Sequence, residues 1–438
     1  MALSKVLVVN KYHFISGGAE RYFLSVMESF RRRGIEPIPL SVNYAKTLPT
    51  PYQKYFIEPV VKGGEAKIQN MKPTWQQQLS LAGRAVYSFE AKRAVASVIR
   101  DQRPDIAYFL NFNNHISPSA IDACVEHGVP VVMRMSDFNL SCPANMYYRD
   151  GHPCTDCKGS NLFNGIRHRC VHGSLVRSAV QVFANSLHRR LGIYKKVSAF
   201  IAPTEFMKDD LLHLGFEPHR VHQVNTFVRP CESPAAHEER EPYILFVGRF
   251  VPYKGVEAAI RAFCRVPDRG VRLHLAGDEQ DAESARLKTL AKELGGDRIV
   301  FAPFERNKAK LHELVHKALF TLVPSECYDN LPNTILESFA CRRPVIVTRL
   351  GSLPGIVPDG KLGLLFEYGD LDGFAAKIQW MLDHPEERER MGENAYQAVL
   401  NEYAEDRHMN TLVDIFEAAL LEKKSSPAAE PVAEPLSA

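Results

Sequence analysis

The stretch from Leu319 to Val347 limits the folds open to this chain more than any other. An apolar run, Leu319 to Val323, gives way at Pro324 to a polar loop. A short amphipathic segment starts near Pro332, and a second apolar run closes the unit at Pro344 to Val347. Buried apolar runs on either side of a helix are the pattern of a strand, loop, helix, strand unit in a parallel sheet. Asp329 lies in the loop at the helix entrance and Glu337 lies on the helix. Both can face a ligand held against the helix N-terminus, where unpaired backbone N–H groups favour an anion. The spacing suits a ligand with phosphate and several hydroxyls.

The same alternation runs through the chain. A strand at Lys5 to Val9 leads into Gly17-Gly18 and a helix over 19–33, then a strand over 37–42. Paired glycines at a strand-to-helix turn let another molecule approach the backbone, or they simply make a tight turn. No G-x-G-x-x-G accompanies them, which disfavours NAD chemistry. Residues 43–80 are irregular and aromatic, placed either to meet an acceptor or to cover the sheet edge. A helix over 82–101, a strand over 106–110, a helix after Ser117 and a strand over 129–133 follow. The loops after these two strands carry Asn111, Asn113, Asn114, His115, Ser136 and Asp137. In an open parallel sheet, loops at the strand C-termini line the ligand crevice.

Length supports two such sheets: 438 residues suit two domains of about 200 each. The net charge of +3 implies no general pull toward nucleic acid. No apolar run reaches the ~18 residues of a membrane span, and Val6 to Val9 is too short for a signal-peptide core, so a cytoplasmic protein is expected. Nine cysteines, with Cys124, Cys264 and Cys341 isolated in apolar settings, fit a reducing compartment.

Four other cysteines cluster: Cys142, Cys154, Cys157 and Cys170, with a C-x₂-C pair at the centre. The spacing leaves three readings open: a structural zinc site tying down an insertion, reduced thiols, or a disulfide formed in air. Four thiolates would leave zinc no open position for chemistry. Between Cys157 and Thr204 there is no acid, while eight Lys and Arg residues fall within 158–196. Leu175, Val176, Ala179, Val180, Phe183, Leu187 and Leu191 recur there at helical spacing. The segment is either a core-packed helix with a solvated basic face or a surface for anionic lipid headgroups or a phosphorylated acceptor.

Residues 230–242, rich in Pro, Ala and charge, read as an interdomain linker. The second half opens with a strand at Tyr243 to Val247, then Gly248-Arg249 and Lys254-Gly255 before a helix. A glycine that admits a phosphate, an Arg fork and a Lys point charge at one turn make a pyrophosphate clamp, the alternative being ordinary surface cations. The tail from Ser425 has a disordered composition.

These segments together resemble the bacterial family 4 glycosyltransferases, retaining enzymes of the GT-B fold. The matching stretches include GGAERY (17–22), GVPVVMRMSDFNLSCP (128–143), FVGRFVPYKGV (246–256), VPSECYDNLPNTILESFACRRPVIV (323–347) and DGKLGLLFEYGD (359–370). The resemblance implies an α/β chain of two facing Rossmann-like domains with an interdomain cleft. The N-terminal, acceptor-side domain would span 1–230 with a Cys-rich insertion at 138–172. The nucleotide-sugar-binding domain would span 231–403, and C-terminal helices at about 404–424 would cross back to the first. It further implies that Glu337 holds the ribose hydroxyls, that Arg249 and Lys254 hold the diphosphate, and that Gly18 offers a backbone N–H. Gly17, Gly248, Asn330 and Leu331 would join the donor contacts. Asp329 takes the first position of the family's Glu-x₇-Glu motif, against the donor sugar.

Four positions depart from the family pattern. The first motif acid is Asp, one methylene short of Glu. Ser136-Asp137 stands where the family has His-Asp beside the reaction centre. Position 355 is Gly in place of Glu, and Arg343 replaces a common Gly. The expected activity is retaining, metal-independent transfer from a UDP- or GDP-sugar to a saccharide or lipid-linked acceptor in surface-polysaccharide assembly. It would take place in the cytoplasm or on the cytoplasmic face of the inner membrane. Asp370-Leu371-Asp372 has the form of a metal motif but sits where a helix cap is expected. The alternative is a degenerate member that binds nucleotide sugars or acts as a scaffold. A GT-B epimerase has no support in the sequence.

Overall fold

The computed structural model describes residues 3–61, 74–113, 116–159, 161–231, 242–277, 282–303, 305 and 307–425. The first half contains strands β1 (Lys5–Val9), β2 (Glu36–Leu40), β3 (Ile106–Phe109), β4 (Val131–Arg134), β5 (Tyr148–Arg149), β6 (His152–Pro153), β7 (Ala199–Ala202) and β8 (Val221–Gln223). Its helices are α1 (Gly18–Arg32), α2 (Trp75–Val86), α3 (Phe89–Gln102), α4 (Ser119–Glu126), α5 (Phe163–Arg167), α6 (Leu175–Arg190) and α7 (Glu205–His213). The second half contains β9 (Tyr243–Val247), β10 (Arg272–Gly277), β11 (Ile299–Pro303), β12 (Thr321–Val323), β13 (Val345–Thr348) and β14 (Gly363–Phe366). With them come α8 (Val256–Phe263), α9 (Ala282–Gly295), α10 (Lys308–Lys317), α11 (Asn333–Ala340), α12 (Leu353–Ile356), α13 (Leu371–Asp383), α14 (Pro385–Asn401) and α15 (Glu405–Ser425).

Two six-stranded sheets result, in the orders β2-β1-β3-β4-β7-β8 and β11-β10-β9-β12-β13-β14. Every pairing within them is parallel. Strand composition explains why. In β1, Leu7 and Val9 enter one core while Val6 and Val8 enter another on the opposite face. In β9, Ile244 and Phe246 separate from Tyr243 and Leu245 in the same way. Strands apolar on both faces need helices on both faces, and parallel crossover connections supply them. The strand order reverses between β1 and β3 and again between β9 and β12. A crevice opens at each of these two switch points.

Helix α1 shows how the sequence sets one wall of the cleft. Its buried stripe is Tyr22, Phe23, Val26, Met27 and Phe30, with Glu20 in the first turn and Arg31 and Arg32 in the last, matching the helix dipole. It stops at Gly34 (φ +75), where Ile35 N–H bonds the Phe30 carbonyl at 3.0 Å.

Several expectations are corrected. The helix over 82–101 is two helices, because the Ser88 hydroxyl accepts from Ala91 N–H and restarts the helix after Tyr87. In the irregular region, Tyr44, Tyr55 and Phe56 are buried and Val42 bridges Ile57, so this part covers the edge of β2; Lys62 and Lys67 lie outside the described residues. Cys341 is not an isolated thiol: it forms a disulfide with Cys231, whose N–H bonds the Ala340 carbonyl at 3.2 Å as the chain returns to the end of α11. Cys124 and Cys264 are free. The apolar residues of α6 do not all face inward. Ser178, Val182, Ala184 and His188 are buried, while Leu175, Val176, Phe183 and Leu191 are exposed. The body of the linker, 232–241, and the tail, 426–438, lie outside the described residues.

At the C-terminus, α14 places Ala395, Ala398 and Val399 in the core of the second sheet. After Tyr403, α15 places Met409, Leu412, Ile415 and Phe416 in the core of the first. Among the described residues, no helix is long and apolar enough to cross a membrane.

Candidate active site

Both switch points open onto one cavity of about 490 Å³, within the ~300–1,000 Å³ usual for ligand sites. One wall comes from the loop after β1, the start of α1, Asn111 after β3, and Arg134 with Ser136 after β4. The other comes from Gly248, Arg249 and Lys254 after β9, and from Asp329 to Glu337 between β12 and α11. The structure thus gathers Gly17, Gly18, Ser136, Gly248, Arg249, Lys254, Asp329, Asn330, Leu331 and Glu337 around one space. Asp137 is not among the lining residues. Its carboxylate is turned to the Asn139 N–H at 3.1 Å, and burial raises its pKa. Asn114 and His115 lie outside the described residues. Cys142, Cys154, Cys157 and Cys170 are free thiols on the insertion that carries β5 and β6.

Two helix N-termini meet across the cavity. A Cβ built on Gly18 would lie 2.6 Å from Asn333 Nδ2, so α1 and α11 touch at their first residues. Neither Gly17 nor Pro332, the respective N-cap residues, donates a side-chain cap. The Glu20 carboxylate engages its own N–H in the first turn of α1, and the remaining first-turn N–H groups and both positive dipole ends face one space that favours an anion. Gly255 sets the cation wall. Its φ is +69, and a Cβ there would lie 1.8 Å from the Pro324 carbonyl oxygen, so only glycine lets the loop bearing Lys254 pack on the loop after β12.

Lys254 Nζ donates to both Asp329 carboxylate oxygens at 2.7 Å, and the Ser325 hydroxyl donates to the same carboxylate. Burial works against the ammonium, but Asp329 more than offsets it, and the Lys254 pKa stands above its ordinary value. The Arg249 guanidinium lies over the Tyr253 ring, 5.7 Å from its centre. Burial pushes the Glu337 carboxyl up, opposed by Arg21 of α1 and Lys308 of α10. Asn330 works mainly across the cleft: its amide donates to the Met135 carbonyl at 3.0 Å and accepts from Thr204 Oγ1 at 3.3 Å. Asp370 caps α13 through Gly373 N–H, as expected, and Asp372 pairs with Arg265.

The sequence reading passed over Lys11, Glu20, Arg134 and Asn333, all of which line the cavity. Burial raises the Glu20 pKa against the pull of Lys11 and of the Asn111 and Asn10 side chains. Arg134 is buried over the Tyr22 ring at 4.0 Å and donates to Thr226 Oγ1 at 2.7 Å. Glu20 lies within the GGAERY segment, and Lys11 is in the loop after β1, so position at a switch point was the available signal. Arg134 gave none, because it ends a run that reads as apolar strand.

Comparison with known proteins agrees with this architecture. Residues 17–226 match the family model described as "Glycosyl transferase 4-like domain", and residues 232–398 match "Glycosyl transferases group 1". A lipopolysaccharide core biosynthesis glycosyltransferase of Rhizobium meliloti, LpsE, is 31% identical over 224 residues, covering 50% of this chain and 63% of that protein. A D-inositol 3-phosphate glycosyltransferase of Acidothermus cellulolyticus is 33% identical over 189 residues, covering 39% of this chain and 42% of that protein. Each match spans less than two thirds of the relative's length. Among solved structures, a glycosyltransferase from Rickettsia africae superposes with a TM-score of 0.66 at 16% identity, covering 97% of this chain and 100% of that one. Anabaena HepE in complex with UDP superposes with 0.64 at 16% identity, covering 94% and 100%. These likenesses show the fold. The chain belongs to the group 1, family 4-type glycosyltransferases, with the two-sheet GT-B architecture.

Proposed function

We propose that this chain is a retaining, metal-independent glycosyltransferase that binds a UDP- or GDP-sugar in the cleft and transfers the sugar to a saccharide or lipid-linked acceptor in surface-polysaccharide assembly. The observation that carries the reading is the meeting of two uncapped helix N-termini, at Gly18 and Asn333, beside Arg249 and Lys254. A diphosphate seated there meets fixed N–H donors from both walls and two cations from one. Such an array stabilises charge as it develops on the departing β-phosphate. Glu337 accepts hydrogen bonds from the ribose hydroxyls. Asp329, held by Lys254 and Ser325, faces the donor sugar from the second wall.

In this mechanism the acceptor attacks from the face the diphosphate leaves, and the departing phosphate takes the acceptor's proton. That route requires no imidazole at Ser136. The Ser136 hydroxyl, 3.4 Å from Arg134 Nη1, positions instead. The relatives whose structures hold UDP support a nucleotide-sugar donor. The division into an acceptor-side domain (1–230 with about 404–424) and a donor-side domain (231–403) is part of the proposal.

The acceptor's setting is read from α6. Its exposed Leu175, Val176 and Phe183, with exposed Phe163 on α5 and Trp75 and Leu79 on neighbouring α2, lie in a region rich in Lys and Arg. An apolar face among cations suits an anionic lipid surface, where each Lys or Arg near the headgroups adds about 1 kcal/mol.

A thermal-shift screen of UDP-, GDP- and ADP-sugars tests the donor reading, since a ligand at 100 times its Kd stabilises by about 2.7 kcal/mol. A shift with one nucleotide series, lost in Glu337→Ala, is expected; no shift with any donor overturns the reading. Tight binding without turnover on any acceptor favours the scaffold alternative, for which Ser136, Asp329 and Gly355 are the motivating departures.

A further inference from the structure

In the insertion between β4 and α6, Phe138, Leu140, Cys142 and Tyr147 join the core of the first sheet, but beyond Tyr147 there is little core: Cys157 and Leu162 are buried against Val182 of α6, with Ile166 half-buried beside them. Its regular structure is the two-residue strands β5 and β6 and the five-residue α5. A segment this poor in apolar burial needs a cross-link to hold one shape. It does hold one, and it grips the donor side: the Tyr148 ring lies 5.8 Å from Tyr253, the Tyr147 ring lies 5.6 Å from Tyr328, and Tyr368 Oη donates to the Gly151 carbonyl at 3.1 Å. Tyr253 adjoins Lys254 and Tyr328 adjoins Asp329.

Four thiols lie on this segment. Cys142 and Cys157 are buried, and Cys154 and Cys170 are half-buried. Cys157 lies within electrostatic reach of Cys142, Cys170 and Cys154. The backbone N–H groups of Tyr147, Ala144, Met146 and Asn145 turn toward the Cys142 sulfur, and that of Gly165 turns toward Cys157. The turns that achieve this hold Asn145, Tyr147 and Asp150 at positive φ.

We propose that Cys142, Cys154, Cys157 and Cys170 bind one zinc ion, which clamps the insertion and so positions Tyr147 and Tyr148 against the two donor loops. The donor set is that of a closed structural site. Zn–S bonds of 2.3 Å place the sulfurs about 3.8 Å apart. Among the described residues, no three of these four sulfurs all lie within 4.8 Å of one another, so binding draws the set inward. The trio that does fall within that limit is Cys231, His312 and Cys341, where the two cysteines are joined as a disulfide.

Metal analysis of the purified, tag-free full chain tests this without reference to donor binding. About one zinc per chain is expected, lost in Cys154→Ser/Cys157→Ser and kept in Cys231→Ser. Cobalt substitution should give tetrahedral thiolate absorption, and chelation should open the insertion to proteolysis between Cys142 and Cys170. A wild-type chain with no zinc overturns the proposal, as does a disulfide mapped among the four cysteines. Zinc that follows Cys231 rather than the C-x₂-C pair overturns it too. If zinc is present but no donor binds, the clamp stands and the donor reading falls.

Discussion

Lys254 holds Asp329 through two 2.7 Å hydrogen bonds, so the cation placed for a diphosphate and the acid placed for a sugar are parts of one unit. The two residues should separate cleanly by mutation. Lys254→Ala removes a diphosphate contact and strands a half-buried carboxylate; UDP or GDP binding should weaken at least about tenfold and turnover should fall about 10²–10³-fold. Asp329→Asn frees Lys254 for the diphosphate, so nucleotide affinity should hold or rise while sugar transfer falls. Calorimetry paired with a transfer assay measures both. Parallel losses of affinity in the two variants would show that Asp329 acts on the nucleotide.

Gly18→Ala separates stability from closure. Gly18 is the first residue of α1 and is not at positive φ, so alanine should stabilise the helix by about 0.5–1 kcal/mol. Its Cβ would meet Asn333 Nδ2 at 2.6 Å, the end of a side chain, so the Asn333 amide has to turn from its place in the cleft. A displacement near 1 Å costs on the order of 10²-fold in a positioned reaction, so kcat/KM should drop about 10- to 100-fold in a protein with unchanged or higher Tm. Asn333→Ala in the same chain should recover part of the loss. Full activity in Gly18→Ala would place this contact outside the working cleft.

The docking of α15 should depend on pH. Tyr22 Oη lies 2.9 Å from His408 Nε2 and 2.8 Å from Tyr108 Oη, and His408 Nδ1 donates to the Asn225 carbonyl at 2.7 Å. Burial, with Arg134 nearby, lowers the His408 pKa from 6.5 to about 4. Between those values the unfolded chain binds the extra proton. Stability from this group is therefore complete above pH ~6.5 and is lost as pH falls toward ~4, amounting to about 3 kcal/mol. His312, also lowered to about 4, adds in the same direction. Glu405, lowered to about 2, keeps its full contribution above pH ~4.5 and loses it only below that. Urea unfolding at pH 7.5 and 5.0 should show the decline, and His408→Gln should flatten part of it. An unchanged slope in that variant would mean that His408 is not buried neutral.

The outward face of α6 makes a separate prediction. Val176→Glu/Phe183→Glu should abolish co-sedimentation with anionic vesicles while leaving nucleotide binding intact, because both side chains are exposed and neither lines the cleft. Wild-type binding should weaken with salt and be absent on neutral vesicles. Equal binding of wild type and variant would remove this surface from consideration.

Much of this was legible in the sequence because parallel strands buried on both faces leave unbroken apolar runs. Lys5 to Val9 and Tyr243 to Val247 were located to the residue, and the helix expected over 19–33 is found at Gly18–Arg32. The donor wall was readable for the same reason: Arg249, Lys254, Asp329 and Glu337 all sit just past strands or on the next helix. What escaped depends on contacts distant in sequence. Arg134 looks like part of a strand until Tyr22 and Thr226 are brought beside it. The outward turn of Val176 and Phe183 is invisible to periodicity, which reports that a stripe exists but not which way it faces. Asn330 lines the cavity as expected of a donor contact, but its bonds to Met135 and Thr204 across the cleft form only once the two sheets face each other. The Cys231–Cys341 bond joins residues 110 positions apart, and nothing local to either cysteine announces it.

Titration calorimetry of UDP and GDP against wild type, Arg249→Ala, Lys254→Ala and Glu337→Gln tests the account most directly. The cleft model predicts that one nucleotide binds the wild type and that each variant weakens it at least tenfold, about 1.4 kcal/mol, with every variant retaining the wild-type fold by circular dichroism. Equal affinity across the four proteins, or no binding of either nucleotide to the wild type, would contradict it.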